Sequence, residues 1–155
     1  RYTYPDFRPK GQWNLPRFGT RAAIDPVNGK LYLANVPATL TQVALKELVD
    51  RKSDQAVSTG DVDVIDLAAI RGGKVEDRGD LKLAATISVA APIRGLDVSA
   101  DGKTLTVLSS RQPAGGKGGK ATLRQYDTAD RKLVKEKELP NAAWDMSRSA
   151  DGKAL

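Results

Sequence analysis

The chain has 155 residues, of which 40% are hydrophobic and 28% charged, a balance typical of a folded globular protein. Cysteine and histidine are both absent, which excludes disulfides, thiolate metal ligands, a Ser-His-Asp triad and a histidine general base from these residues. The net charge is +6, but basic and acidic residues are interspersed, so the sequence predicts a solvated mixed surface and no nucleic-acid interface.

Residues 1–15 precede the first repeated pattern and carry four aromatic side chains, at Tyr2, Tyr4, Phe7 and Trp13. We expect this segment to be a lead-in arm or the outer strand of a closing blade. We expect its aromatic side chains to pack on a neighbouring domain. No stretch of the sequence approaches the roughly 18 apolar residues of a membrane-spanning helix, so we expect no membrane span.

The first hairpin is predicted over residues 23–33, where two stretches of alternating apolar residues flank Asn28-Gly29. An Asn-Gly pair favours a type I′ turn, in which both central residues need positive φ angles. Pro16 precedes this hairpin. Two further strands, predicted over residues 61–67 and 81–89, complete the first unit.

The insertion at residues 36–60 separates the hairpin from these strands. Thr39 and Gln42 match a capping box, and apolar residues at helical spacing follow them at Leu45, Leu48 and Val49. We predict a short helix here. Its apolar stripe either docks a partner or seals the top of its own sheet, and we favour the second role.

Asp61, Asp63 and Asp66 invite a calcium hypothesis, because hard cations prefer clustered oxygen ligands. In a strand, however, Asp61 and Asp63 share one face while Asp66 points to the other. We therefore interpret these residues as keeping the strand soluble, and we predict no metal site.

The same order of elements recurs after Pro92. A second hairpin is predicted over residues 96–107 around Asp101-Gly102, followed by strands over residues 121–128 and 133–139. After Pro140, a third hairpin is predicted from Met146.

A glycine-rich insertion at residues 110–120 separates the second hairpin from its next strand. Gly119-Lys120 approximates a phosphate-binding loop, yet Ala121 stands where that loop needs Ser or Thr. A strand follows, whereas phosphate binding needs a helix N-terminus. We therefore predict a flexible basic loop rather than a nucleotide site.

Four antiparallel strands per unit, recurring at about 40 to 50 residues, are typical of a β-propeller. We predict an all-β fold with about two four-stranded blades and the start of a third. A propeller ring needs more blades, so we expect the chain to be part of a longer protein. The alternative is a stand-alone sandwich of roughly ten strands.

The Ser-Ala-Asp-Gly-Lys turns at residues 99–103 and 149–153 resemble those of bacterial WD40-like or YVTN-type propeller repeats, as do the strand ends Ile65-Asp66-Leu67 and Tyr126-Asp127-Thr128. The resemblance covers the chain from about residue 16. It departs from the eukaryotic WD40 pattern, because Gly-His is absent and Trp144-Asp145 opens a strand. This family includes scaffolds, surface-layer proteins, lactonase-like enzymes and cytochrome-linked propellers, so the resemblance implies architecture rather than activity.

The resulting domain prediction has four parts. They are a lead-in arm or closing strand at 1–15, a blade at 16–91 with the helical insertion at 36–60, a second blade at 92–139, and the start of the next blade at 140–155.

Function is predicted from the loops. In propellers the second-to-third-strand loops and the blade-to-blade connections share one face, where loops on a rigid scaffold carry function. We predict a binding or scaffold module within a larger bacterial protein, without cofactor or catalytic residue, whose partner is a protein or the rest of its own chain. The alternative is part of an enzymatic propeller of lactonase-like or quinoprotein-like type, whose site would lie mostly in other blades. We expect an extracytoplasmic location. The candidate interaction residues on the top face are Leu45, Leu48, Val49, Arg94, Arg111 and Lys117.

Arg21 and Arg94 fall at matched positions ahead of the two hairpin turns, beside Asp145 at the start of the third unit. Two such arginines could bind an anion, but we favour ordinary pairing with surface acids.

Overall fold

The computed structural model describes residues 2–3, 8–9, 12–14, 19–35, 60–68, 78–89, 92–111 and 119–149. These residues form β-strands joined by turns. The strands are β1 (Tyr2–Thr3), β2 (Arg8–Pro9), β3 (Gln12–Asn14), β4 (Gly19–Asp25), β5 (Lys30–Asn35), β6 (Gly60–Asp66), β7 (Arg78–Asp80), β8 (Leu83–Val89), β9 (Ile93–Val98), β10 (Thr104–Arg111), β11 (Lys120–Asp127) and β12 (Leu133–Leu139).

Two antiparallel four-stranded sheets dominate the fold. The first has the order β4-β5-β6-β8 and the second the order β9-β10-β11-β12, so each is a meander of sequential neighbours. Two small sheets accompany them, an antiparallel β1-β2 pair and a parallel β3-β7 pair. The predicted all-β class and the predicted strands of both units are confirmed.

Alternation of side chains explains how the sheets acquire an apolar face. In β6, Val62 and Val64 point to one face and are buried, while Asp61 and Asp63 point to the other. Asp61 accepts a hydrogen bond from the Ser88 hydroxyl at 2.9 Å, and Asp63 accepts one from the Thr86 hydroxyl at 3.0 Å. The acidic face of this strand is therefore held by its neighbour β8.

The main core lies between the two sheets. Its buried side chains are Tyr32, Val62, Val64, Ile87 and Val89 from the first sheet and Leu105, Val107 and Tyr126 from the second. Full burial of one large apolar side chain stabilises the fold by about 1.5–3 kcal/mol. This shared core is what holds one sheet against the other.

The sheets stack in the same sense rather than face to face. In the first sheet, the row of paired residues next to the pair that closes the hairpin loop is Ile24, Leu31 and Ile65. The corresponding row in the second sheet is Val98, Leu105 and Tyr126. The first row points away from the second sheet, with Ile65 in a separate cluster, whereas Leu105 and Tyr126 lie in the shared core. Equivalent faces therefore point the same way, as in consecutive propeller blades, and the sandwich alternative is wrong.

Residues 142–149 continue this stacking on the far face of the second sheet. Met146 packs against Gly95, where an added Cβ would lie 3.2 Å from the Met146 Cβ. Arg148 forms an ion pair with Asp97, and the Ala143 amide donates to the Ser110 hydroxyl at 3.3 Å. The segment thus lies along β9 as β9 lies along β4, although residues 142–149 form no strand ladder within the described chain.

The hairpin turns differ from the predicted type I′ geometry. Both are four-residue loops, at residues 26–29 and 100–103, closed by the pairs Asp25–Lys30 and Ser99–Thr104. Only the glycines, Gly29 and Gly102, have positive φ angles there, of 65° and 70°. The prediction of positive φ at Asn28 and Asp101 is wrong, because side-chain oxygens that accept amides build these loops instead.

The predicted helix at 39–50 lies outside the described residues, as does the turn at 151–153. The described part contains no helix with the length and apolar character needed to cross a bilayer.

Candidate functional site

The meander order brings eight strand ends to one edge of the stacked sheets, which we call the upper edge. They are the starts of β4, β6, β9 and β11 and the ends of β5, β8, β10 and β12. The insertions at 36–59 and 112–118 leave from it. The opposite edge, which carries the loops 26–29 and 100–103 and the turn 128–132, is the lower edge.

The first strand of each sheet, β4 and β9, is irregular at the same place on the upper edge. The β4 ladder shifts register between Gly19 and Arg21, which leaves Thr20 as the extra residue. The β9 ladder shifts between the partners of Leu108 and Ser109, which leaves Arg94 as the extra residue. A β-bulge redirects the side chain of the inserted residue and occurs often beside functional sites. The structural equivalent of Arg94 is therefore Thr20, one position away from the match read from the sequence.

Arg21 links the two bulges. Its Nη1 donates to the Thr20 carbonyl at 2.8 Å, and its Nε donates to the Arg94 carbonyl at 3.0 Å. A bulge interrupts the ladder and leaves backbone groups without ladder partners. Arg21 supplies donors to these two carbonyls, so it fixes the bulge of one blade against the bulge of the next.

Arg94 stacks on Trp144 of the following segment. Its guanidinium carbon lies 4.9 Å from the centre of the indole ring, within the range of a cation–π interaction. The Arg94 Nε is shielded from solvent and has no hydrogen-bond acceptor, and no carboxylate in the described chain pairs with this guanidinium. The Trp144 side chain remains 56% exposed. Within the described residues Arg21 donates to backbone carbonyls and Arg94 lies over an indole, so the expected pairing of these arginines with surface acids is not found there.

The segment that carries Trp144 is anchored on both sides of the ring. Ala143 and Met146 contact the second sheet, and the ion pair of Arg148 with Asp97 follows. The hydrogen bond that Arg148 donates to Asp97 raises the pKa of Arg148 above its ordinary value. The indole is thus held in place by backbone and side-chain contacts of its neighbours.

The lower edge contrasts with this arrangement, because its polar groups are used internally. Asp25 is fully buried, and its Oδ1 accepts the amides of Val27 and Asn28 at 2.9 and 3.0 Å. The Asn28 side chain donates to the Asp25 Oδ2 at 2.7 Å and to the Gly102 carbonyl of the next blade at 2.9 Å. The Thr128 hydroxyl donates to the same carbonyl at 2.6 Å. The bond from Asn28 to the Gly102 carbonyl ties the two blades together, and the other bonds hold its two loops in place.

Turn carboxylates on the lower edge also have internal donors. The Lys30 ammonium and the Ala68 amide lower the pKa of Asp66, and the Ser99 hydroxyl and the Lys103 amide lower the pKa of Asp101. The Lys132 amide and side chain lower the pKa of Asp130. Each carboxylate is held ionised by hydrogen bonds to the charged form.

Of the predicted site residues, the structure places Arg94 at the upper edge and ends β10 at Arg111 there. Leu45, Leu48, Val49 and Lys117 lie outside the described residues. Sequence reasoning missed the partner of Arg94, Trp144. Its signal was present, because Trp144 stands five residues before Ser149 of the repeated sequence, as Arg94 stands five residues before Ser99.

Within the described chain no group of three His, Cys, Asp or Glu side chains is arranged to hold a metal ion. Asp61 and Asp63 share a strand face, as predicted, and the Lys30 ammonium pairs with Asp66 on the other face at 2.7 Å.

No protein-family model matches this sequence, and none of the curated proteins matches it. Among solved structures, the β-propeller domain of the trilobed protease from Pyrococcus furiosus is similar, at 18% identity and a TM-score of 0.44, over 79% of this chain and 29% of that one. The acylaminoacyl peptidase of Pyrococcus horikoshii is similar at 14% identity and a TM-score of 0.46, over 79% of this chain and 18% of that one. The chain thus spans less than a third of either structure. The assignment of two blades rests on the strand order and the stacking described above.

Proposed function

We propose that this chain is part of a β-propeller that serves as an interaction module in a larger bacterial protein, and that the upper edge is its partner-binding surface. The observation that carries the proposal is the paired bulge in β4 and β9, which places Arg94 and the exposed indole of Trp144 on this edge. Loops and irregular strand ends on a rigid sheet scaffold are the usual location of binding residues.

The outward face of the first sheet supports a role within a longer ring of blades. Ile24 is 64% exposed and Val27 56% exposed, whereas Val98, which matches Ile24 in the second sheet, packs against the shared core. In the second sheet this face is covered by the first sheet. Leu33 and Ile65 on the same face are already buried within this chain. By equivalence, a further blade covers the part of the face that carries Ile24 and Val27, so one partner of this segment is the rest of its own chain.

We also propose that the repeated units are of the WD40-like or YVTN type. The Ser-Ala-Asp-Gly-Lys loop works as its residues suggest: the Ser99 hydroxyl accepts the Thr104 amide at 2.9 Å and donates to Asp101 at 2.6 Å. Residues 149–153 have the same sequence, which supports a repeated unit built on one turn design.

Site-specific photo-crosslinking in the intact protein tests the upper edge as the binding surface. A photoreactive phenylalanine analogue replaces Asp145 beside the indole, and matched controls carry it at Ala100 on the lower edge and at Val134 on the outer strand β12. All three positions are exposed. We expect partner adducts from position 145 and none from 100 or 134. Equal labelling from all three positions, or labelling confined to 134, contradicts the proposal.

A further inference from the structure

The guanidinium of Arg94 lies over an aromatic ring, whereas two other arginines of the second sheet and the segment after it make ion pairs. Arg124 pairs with Glu136 at 2.6 Å, and Arg148 pairs with Asp97. Arg94 has the indole of Trp144 as its neighbour and a shielded Nε that lacks an acceptor. A donor that is removed from solvent without a partner costs free energy. Because no carboxylate of the described residues pairs with this guanidinium, it is suited to an acceptor from outside the chain.

The position of this guanidinium is fixed before any ligand arrives. Arg21 holds the Arg94 carbonyl through a hydrogen bond of 3.0 Å, and the indole supports the guanidinium plane. The indole is in turn anchored through Ala143 and Met146. A side chain that is ordered beforehand loses less conformational entropy on binding, which favours affinity.

The chemistry of the site selects an acidic ligand with apolar surface next to its carboxylate. The planar fork of an arginine matches the two oxygens of a carboxylate. Asp145, the acidic residue next to the indole, accepts the amide of Met146 at 2.8 Å with its own side chain. The net charge of +6 attracts acidic partners over a longer range, and the exposed ring of Trp144 offers an apolar contact beside the charge.

We infer that Arg94 and Trp144 form a carboxylate-binding site that receives an acidic peptide segment of the partner, with Arg21 as a positioning residue. This inference rests on the proposed function, because it names the chemistry of the partner that the upper edge binds. Glutamate side chains or a peptide C-terminus both supply the carboxylate, and they are distinguished by amidating the peptide.

Binding of defined peptides to the intact protein tests the site. The probes are an N-acetylated, C-terminally amidated tetraglutamate peptide, its tetraglutamine counterpart, a tetraglutamine peptide with a free C-terminus, and inorganic phosphate. Isothermal titration gives the affinity, and quenching of tryptophan fluorescence reports contact with the indole. We expect the tetraglutamate peptide to bind and to quench the fluorescence, and the amidated tetraglutamine peptide to do neither. Binding of the free-terminus peptide instead assigns the site to a C-terminal carboxylate.

Three variants separate the site from general charge effects. Arg94→Gln is expected to weaken tetraglutamate binding about tenfold or more, since a hydrogen bond to a charged group contributes about that factor. Trp144→Leu is expected to weaken binding and abolish the quenching. Lys135→Gln removes the same charge from an exposed position of β12 and is expected to leave the affinity within about twofold, because exposed charges at a distance are screened by salt. Unfolding midpoints checked beforehand show that each variant is folded.

The inference is overturned if Arg94→Gln and Lys135→Gln weaken binding equally, or if phosphate displaces the peptide at equal concentration. It is also overturned if the crosslinks from position 145 persist unchanged in Arg94→Gln. In that last case the upper edge still binds a partner, and the proposed function stands without the carboxylate site. If position 145 gives no crosslinks while Arg94 and Trp144 are unchanged, the proposed function itself fails.

Discussion

The upper and lower edges of the stacked sheets are built from the same strands but use polar groups in opposite ways. On the lower edge, Asp25 and Asn28 bond to amides and to the Gly102 carbonyl of the next blade. On the upper edge, the Arg94 guanidinium lies against an exposed indole and pairs with no carboxylate of the described residues. The difference teaches that the lower edge is a structural junction, whereas the upper edge is the surface where we propose that a partner binds.

Removal of Asp25 is the strongest test of the structural junction. Asp25→Ala leaves two loop amides and the Asn28 side chain without their buried acceptor, so we expect the free energy of unfolding to fall by about 3 kcal/mol. Urea denaturation followed by circular dichroism measures the loss. Asp101→Ala, in the equivalent loop but exposed, serves as the control and is expected to cost much less. An equal cost at the two positions would remove the distinction between a buried junction and a surface turn.

A methyl group at Gly102 tests whether the two blades meet as closely as the junction requires. The Gly102 φ of 70° is unfavourable for other residues, and an added Cβ would lie 2.6 Å from the Asn28 Nδ2 and 2.9 Å from the Asp25 Oδ1. We expect Gly102→Ala to lower the free energy of unfolding by about 2 kcal/mol, combining the backbone penalty with displacement of the Asn28 side chain.

A double-mutant cycle checks the cause of that loss. Because Asn28→Ala already removes the bond to the Gly102 carbonyl, the two changes together are expected to cost less than their sum. Additive costs would show that the blades do not touch through this pair.

Acid sensitivity belongs to the lower edge as well. The pKa values of Asp66, Asp101 and Asp130 are lowered in the folded chain, by hydrogen bonds from Lys30, Ser99 and the Lys132 amide respectively. Their stabilising contribution is therefore present above the unfolded pKa of 3.8 and is lost as the pH falls through the lowered folded values. We expect a small decrease in the free energy of unfolding between pH 5 and pH 3.

Carbon-13 NMR titration of the three carboxyl groups measures these pKa values directly, and urea denaturation at the two pH values gives the stability. Asp66→Asn is expected to remove part of the pH dependence, since its partner Lys30 then faces a neutral amide. Folded pKa values at or above 3.8 would show that these turn contacts do not form in solution.

Much of the lower edge could be predicted from the sequence, because it depends on local patterns. The Asn28-Gly29 and Asp101-Gly102 pairs located both hairpins, and the alternation of residues 61–67 and 133–139 located two strands. The turn type could not be predicted, because the loop length depends on which strand residues pair. The side-chain bonds by which Asp25 and Ser99 close the loops depend on the same pairing.

The upper edge depends on contacts between residues far apart in the chain, and the sequence revealed less of it. Arg21 and Arg94 were singled out, but their roles were set by bulges that no local pattern marks. The stack of Arg94 on Trp144 joins residues 50 positions apart, and it forms only because residues 142–149 lie on the second sheet. Contacts between neighbouring blades, rather than propensities within one, decide which side chains meet there.

The smallest expected effect on stability is at the upper edge itself. Trp144 is 56% exposed, and a cation–π contact at an exposed site contributes only about 0.5–1 kcal/mol. We therefore expect Arg94→Gln to change the free energy of unfolding by no more than about 1 kcal/mol, measured by the same urea denaturation as for Asp25→Ala. If Arg94→Gln instead lowered the free energy of unfolding as much as Gly102→Ala, the guanidinium would be a structural tie between the blades, as Asn28 is on the lower edge. A small cost in stability together with a large loss of peptide affinity is the combination that a residue retained for binding produces, and a structural residue does not produce it.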